Sequence, residues 1–134
     1  MDKPVRIQLK RIKGWRKPDN TIVVSRPGKF GNPFTIAQAI ESGYVSNQEE
    51  ARRFVVRCFD DWLHDGRVSG RNWWQGPESD KRRAEIMRQL STLRGKNLAC
   101  WCPLVDKNGA PVPCHADVLL ELANGPALTA HVPG

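Results

Sequence analysis

Apolar and polar residues alternate at the start of the chain. In Pro4-Val-Arg-Ile-Gln-Leu-Lys-Arg-Ile12, Val5, Ile7 and Leu9 fall on one side and Arg6, Gln8 and Lys10 on the other. That period of two predicts a half-buried strand over 4–12. Gly14-Trp-Arg-Lys-Pro-Asp-Asn20 follows as a loop with turn residues at its end. The β-branched run Thr21-Ile-Val-Val-Ser25 predicts a buried strand. The proline and glycine content of Arg26-Pro-Gly-Lys-Phe-Gly-Asn-Pro-Phe34 makes it a second loop.

From Thr35 the period changes. Thr35-Ile-Ala-Gln38 fits a capping box that opens a short helix, with Gly43 as its stop. Ser46-Asn-Gln-Glu49 fits another. Behind it Ala51, Phe54, Val55, Cys58, Phe59, Trp62 and Leu63 recur at spacings of three and four, so the helix has one apolar stripe. Cys58 lies in that stripe and is expected to pack as a core thiol. Residues 66–79 are irregular, and Trp73-Trp74 within them is a core plug or a lid. Asp80 is the expected cap of a third helix carrying Ile86, Met87, Leu90 and Leu93, ended by Gly95. Leu98-Ala-Cys-Trp-Cys-Pro103 then predicts a buried strand, and Pro113-Cys-His-Ala-Asp-Val118 the opening of a last helix. Residues 125–134 are small and rich in glycine and proline, and are expected to fray.

The order strand, strand, three helices, strand, helix predicts a single α/β domain over 1–124. Its sheet should be small, at least partly parallel, and flanked by helices. Ligands of such sheets bind at the carboxyl ends of the strands. The strand at 21–25 ends at Arg26, and the strand at 97–101 ends at the cysteines. A parallel arrangement therefore brings the 14–18, 26–34 and 100–117 loops to one crevice.

Charge adds a partner class. Formal net charge is +7, and residues 1–34 hold nine Lys or Arg against two Asp, so the whole excess lies there. Such a field attracts phosphates, and a nucleotide or nucleic acid is the expected partner. No apolar run reaches the roughly 18 residues of a membrane span, and Met1-Asp-Lys-Pro lacks a signal peptide's apolar core. A cytoplasmic protein with reduced cysteines is expected, without a disulfide framework.

The candidate chemistry lies in Cys100-Trp-Cys102, eleven residues, then Cys114-His115. Cys100, Cys102, Cys114 and His115 are the ligand types zinc favours. The Cys spacing is closer than in familiar zinc modules, and neighbours at a helix start are expected to point apart, so Cys114 and His115 should not easily share one ion. Alternatively, Cys102 or Cys114 is an active thiol, its pKa lowered by the helix N-terminus. His115 is then its partner or a general base, with Asp117 orienting it or complementing the helix dipole. Thiols merely packed in a strand, with His115 bonded to backbone, remain a third reading. Several enzyme classes are excluded. Asn108 and Leu120 stand where a Cys-x5-Arg phosphatase loop needs arginine, and no Cys-x-x-Cys, zinc-deaminase or Walker motif occurs.

Arg26, Lys29 and Asn32 are candidate ligand-binding residues. The two cations suit a phosphate and the amide suits a base or sugar, while Gly28 and Gly31 allow close backbone approach. Trp15 among Arg16 and Lys17 could stack on a base or plug a strand end.

These stretches together resemble a family of small bacterial and phage proteins known as domain of unknown function 4326. The matching segments are Gly14-Trp-Arg-Lys-Pro18, Val23-Val-Ser-Arg-Pro-Gly-Lys-Phe-Gly-Asn-Pro-Phe34, Leu93 to Leu104, and Pro113-Cys-His-Ala-Asp-Val118. The resemblance covers most of residues 5–124, apart from a somewhat long loop between Pro103 and Pro113. It implies that the motifs belong to one recurrent domain with a nucleotide or nucleic-acid setting, and implies no particular reaction. The functional expectation is a protein binding a phosphate-bearing ligand in the crevice, with or without Cys/His catalysis. The alternatives are a zinc-stabilised nucleic-acid-binding module and a phage-type protein-interaction factor.

Overall fold

In the computed structural model, which describes residues 3–64 and 76–125, three short strands form one sheet: β1 Arg6–Gln8, β2 Thr21–Val23 and β3 Asn97–Cys100. The spatial order is β1-β3-β2, and both pairings are parallel, with Arg6 opposite Leu98 and Ile22 opposite Leu98 from the other side. The last strand in sequence is thus the middle strand in space. Leu98 and Ala99 are fully buried, as expected of a parallel strand covered on both faces.

Both outer strands are shorter than their patterns. β1 occupies three residues of 4–12, because β3 offers it only a short ladder, closed by Leu9 N–H donating to Cys100 O at 2.9 Å. Lys10 to Lys13 are exposed. Val24 extends the run of β2 by one bond, to Ala99 O at 2.9 Å, and is fully buried.

The helices are α1 Ile36–Glu41, α2 Gln48–Leu63, α3 Pro77–Arg88 and α4 His115–Asn124, with a 3-10 turn at Leu90–Leu93. The Thr35–Gln38 capping box forms as expected. Two other helix starts differ. Asn47, not Ser46, caps α2, its side-chain oxygen accepting from Glu50 N–H at 2.9 Å. The two residue types cap about equally well, and here Ser46 is occupied instead with the Glu50 carboxylate. α3 starts three residues before Asp80. Gly76 precedes it at φ 118°, and Pro77, with no N–H to satisfy, takes the first turn. Asp80 pairs with Arg83 instead, at 3.7 Å. The pattern at Leu90 and Leu93 tightens into the 3-10 turn.

One core joins Val24, Leu98, Phe59, Trp62, Ile86, Leu93 and Leu119. Trp62 Nε1–H donates to Ser79 Oγ at 2.8 Å, tying α2 to α3. Cys58 is buried within the α2 stripe, as its spacing predicts. A smaller cluster around Ala39, Ala51 and Val55 holds α1 against α2. Among the described residues no helix is long and apolar enough to cross a membrane. Trp73-Trp74 and the expected frayed end beyond Gly125 lie outside the described residues.

Candidate functional site

Because the strands are parallel, their carboxyl ends share one rim. β2 leads into Ser25 and Arg26, and β3 into Trp101 and Cys102, while α4 begins at His115 beside them. A cavity of about 190 Å³ opens there, lined by Ser25, Arg26, Arg52, Trp101, Cys102 and His115, among others. Two loops some seventy residues apart meet at this rim, as expected for strands that pair in parallel.

The cavity's inner wall is a cluster of sulfur and nitrogen. Cys100 is the last residue of β3, and Cys114 is the N-cap of α4. Cys114 Sγ lies 3.6 Å from His115 Nδ1, and Cys100 Sγ lies 4.0 Å from the same nitrogen. Cys102 Sγ is 3.8 Å from Cys100 Sγ. The donor atoms of Cys100, Cys114 and His115 all lie within 4.8 Å of one another, and all three residues are buried. Cys102 borders this trio and is only half-buried.

The expectation that Cys114 and His115 point apart is not met. Cys114 is extended, at φ −148° and ψ 151°, as an N-cap must be, and its sulfur folds back over the first turn to accept from Ala116 N–H at 3.5 Å. That fold-back brings the sulfur to the Nδ1 side of its neighbour. His115 Nε2 is 2.8 Å from Val24 O. A carbonyl accepts only, so Nε2 carries a proton, and in the neutral ring Nδ1 presents a lone pair to the sulfurs. Phe59 stands edge-on against the imidazole at 5.3 Å between centroids and fixes the ring's plane.

Within the cluster the three thiols are driven apart in acidity. Hydrogen bonds from Cys102 and then Cys114 hold Cys100 well below the ordinary thiol range. Donation to Cys100 in turn raises Cys102 and Cys114, and burial raises both further. Cys114 is fully buried and has no surface from which to attack a ligand.

Cys58 shows the contrasting case of a thiol alone in a core. Burial first, then the nearby Asp61 charge, pushes its pKa up to about 11. Native Cys58 is therefore expected to resist iodoacetamide near neutral pH and to react only after unfolding, as peptide mass spectrometry would show. Its raised pKa favours the folded, protonated state. That contribution is complete below the ordinary value of 9.0 and is lost as pH rises through about 11.

Asp117 does not reach the His115 ring, whose Nε2 goes to Val24 O and whose Nδ1 faces the Cys114 and Cys100 sulfurs. Its Oδ2 accepts from Cys114 N–H at 3.1 Å, closing a capping box, and its Oδ1 lies 3.3 Å from Arg6 Nε. Arg6 also donates to Val112 O at 2.6 Å and Pro103 O at 3.3 Å, clamping the 103–113 loop to β1. Nothing in the alternation of β1 distinguishes Arg6 from an ordinary solvated cation, so this role was hidden in the sequence.

The expected ligand-binding residues divide. Arg26 lines the cavity, its Nη1 donating to Asn32 O at 3.2 Å. Gly31 makes room for it, since a β-carbon there would stand 2.6 Å from Arg26 Cγ and 2.9 Å from its Cα. The close approach that this glycine permits is thus to Arg26. Asn32 borders the cavity, but its side chain donates to Val55 O at 3.0 Å and accepts from Phe34 N–H at 2.9 Å. It fastens the loop to α2. Lys29 points elsewhere, to Gln89 and the Phe30 ring. Trp15 and Arg16 lie outside the cavity lining, in the segment returning from the rim toward β2.

Two residues at the rim were missed. Arg52, off the apolar stripe of α2, faces the cavity and lowers the cost of charge on Cys102. Trp101, between the two cysteines, is exposed, and the Arg11 guanidinium stacks on it at 4.6 Å. The basic N-terminal segment thereby reaches the same rim. The off-stripe position of Arg52 was legible, but its direction depends on how α2 packs.

No curated protein and no solved structure matches the chain. A family model does, over residues 7–125, from β1 to the end of α4, and its description is "Domain of unknown function (DUF4326)". The matched span takes in the sheet, the cysteine–histidine cluster and the arginine-lined cavity, and the chain belongs to that family.

Proposed function

We propose that this domain binds a phosphate-bearing ligand, a nucleotide or a nucleic-acid end, in the cavity at the carboxyl rim of its sheet. The observation that carries the reading is the pair of guanidinium groups, Arg26 from the β2 loop and Arg52 from α2, on the wall of one cavity beside an exposed tryptophan. Guanidinium groups match phosphate oxygens two at a time, and an aromatic face stacks on any base. Arg11 and its basic neighbours add to the field on the same side. The cavity is smaller than the roughly 300–1,000 Å³ of drug-sized sites, which suits a phosphate with one ring rather than a dinucleotide. In this reading Cys114 and Asp117 shape the site and do not attack the ligand.

Titration of the purified chain with nucleoside phosphates and a short single-stranded oligonucleotide, followed by tryptophan fluorescence, tests it. Arg26→Ala and Arg52→Ala are each expected to weaken binding by about 1.5–3 kcal/mol, roughly 10- to 150-fold. Unchanged affinity in both variants would remove the cavity from consideration. A steep loss of affinity with salt would mark a polymer that contacts Arg11 and its neighbours, whereas a shallow one marks a mononucleotide.

A further inference from the structure

We infer that Cys100, Cys102, Cys114 and His115 hold one zinc ion in a tetrahedral three-sulfur, one-nitrogen site that clips the end of β3 to the start of α4. Zinc holds thiolates at about 2.3 Å and imidazole at about 2.0–2.1 Å. At tetrahedral angles those bond lengths set sulfur–sulfur edges of about 3.8 Å and sulfur–nitrogen edges of about 3.6 Å. The chain's own edges are 3.8 Å for Cys100–Cys102, 3.6 Å for Cys114–His115 and 4.0 Å for Cys100–His115. Three of the edges of such a tetrahedron therefore already stand within a few tenths of an ångström. They fit a single ion; donors around an iron–sulfur cluster are spread farther apart.

The imidazole is set up as a ligand. Metal-bound histidines almost always donate their other N–H to a carbonyl or carboxylate, which fixes the ring and the free lone pair. His115 has that arrangement, with Nε2–H on Val24 O at 2.8 Å and Nδ1 toward the sulfurs. A core histidine satisfied by its backbone bond has no need of two cysteine sulfurs at its other nitrogen. The sulfurs are likewise supported, Cys114 by the Ala116 N–H and the N-terminus of a ten-residue helix. Binding would release the protons held on the thiols and replace them with one cation.

Cys102 has a distinct place. The donor atoms of the other three residues form a compact buried group, while Cys102 borders it from the half-buried loop and lines the cavity. Its sulfur, already 3.8 Å from Cys100 Sγ, is the one donor that would have to close on the group to take the fourth vertex. The ion would then sit behind the cavity wall, with Cys102 between it and the ligand space. The zinc site and the arginine site adjoin but stand on different residues, so either can fail alone.

The test begins with the full chain expressed and purified in reducing buffer without chelator. Elemental analysis should find about one zinc per chain. Cys58→Ser should retain it, and Cys114→Ser should lose it. Should Cys114→Ser not fold, Cys102→Ser on the half-buried loop is the second variant. It should fold and give up its zinc to a chromogenic chelator at about tenfold lower chelator concentration or less. X-ray absorption should count three sulfurs near about 2.3 Å and one nitrogen near about 2.0 Å. Two sulfurs with one nitrogen and one oxygen would overturn the place of Cys102. Purified protein without zinc, whose melting temperature does not move when zinc is added under reducing conditions, would overturn the site. Full zinc retention in folded Cys114→Ser would do the same.

Discussion

Replacing His115 by alanine is expected to lower the unfolding free energy by about 3–5 kcal/mol even in the presence of a strong chelator, where no ion contributes. Two terms add. The Val24 carbonyl loses the Nε2–H that satisfies it at 2.8 Å, and a buried acceptor left without its partner costs about 1–3 kcal/mol. The missing imidazole also leaves a void against Phe59, which is fully buried and cannot turn to fill it. Truncating a large buried side chain to alanine costs about 2–5 kcal/mol, and this ring, smaller than phenylalanine, falls in the lower half. Urea denaturation of wild type and variant, each with chelator and reductant, reads the difference directly. A loss below about 1 kcal/mol would mean that the ring is not seated between Val24 and Phe59. Without chelator the gap should widen, because the wild type then gains the ion's binding energy as well.

Arg6→Ala should follow at about 2–4 kcal/mol, from two hydrogen bonds by a charged donor and an ion pair that is largely shielded on the arginine side. The Arg6 side chain is 9% exposed whereas Asp117 is 49% exposed, so the two carbonyl bonds carry most of the effect and the Asp117 pairing little. Arg6→Lys should recover less than half of the loss. One ammonium on a flexible stem cannot reach Val112 O, Pro103 O and Asp117 at once in the way a planar fork does. The effect should also be local. Limited proteolysis of Arg6→Ala should cut first within 103–113, the segment released from β1. Cleavage at sites shared with the wild type would show that Arg6 does not hold that loop.

Much of this molecule could be read before its coordinates. The α2 stripe and the Thr35 cap are patterns set by neighbours in sequence, and they appear where the periodicity put them. The meeting of the Arg26 loop with the cysteines followed from topology, since parallel strands must end together. What escaped depended on choices made in space. Strand length is set by the partner, and β3 has only four residues to offer. Asn47 and Pro77 took their helix starts from equally plausible neighbours, Asn47 because Ser46 is held by the Glu50 carboxylate and Pro77 because its missing N–H costs nothing there. Arg6 carried no local mark of its three distant partners. Most consequential was Cys114-His115. General rules for adjacent helical residues turn them apart, whereas the extended backbone of an N-cap turns the sulfur back toward the ring.

The sheet's middle position belongs to the strand that is synthesised last. Among the described residues neither β1 nor β2 has any strand but β3 beside it, so neither ladder can form until residues 97–100 emerge. At typical synthesis rates the first strand waits roughly 5–18 s for its partner. During that interval the nascent chain can form only contacts among its helices and loops, α1 against α2 and α2 against α3 through Trp62 and Ser79. The ribosome-bound protein therefore spends most of its birth as packed helices with two loose ribbons, and a chain stopped short of Asn97 should never acquire this sheet.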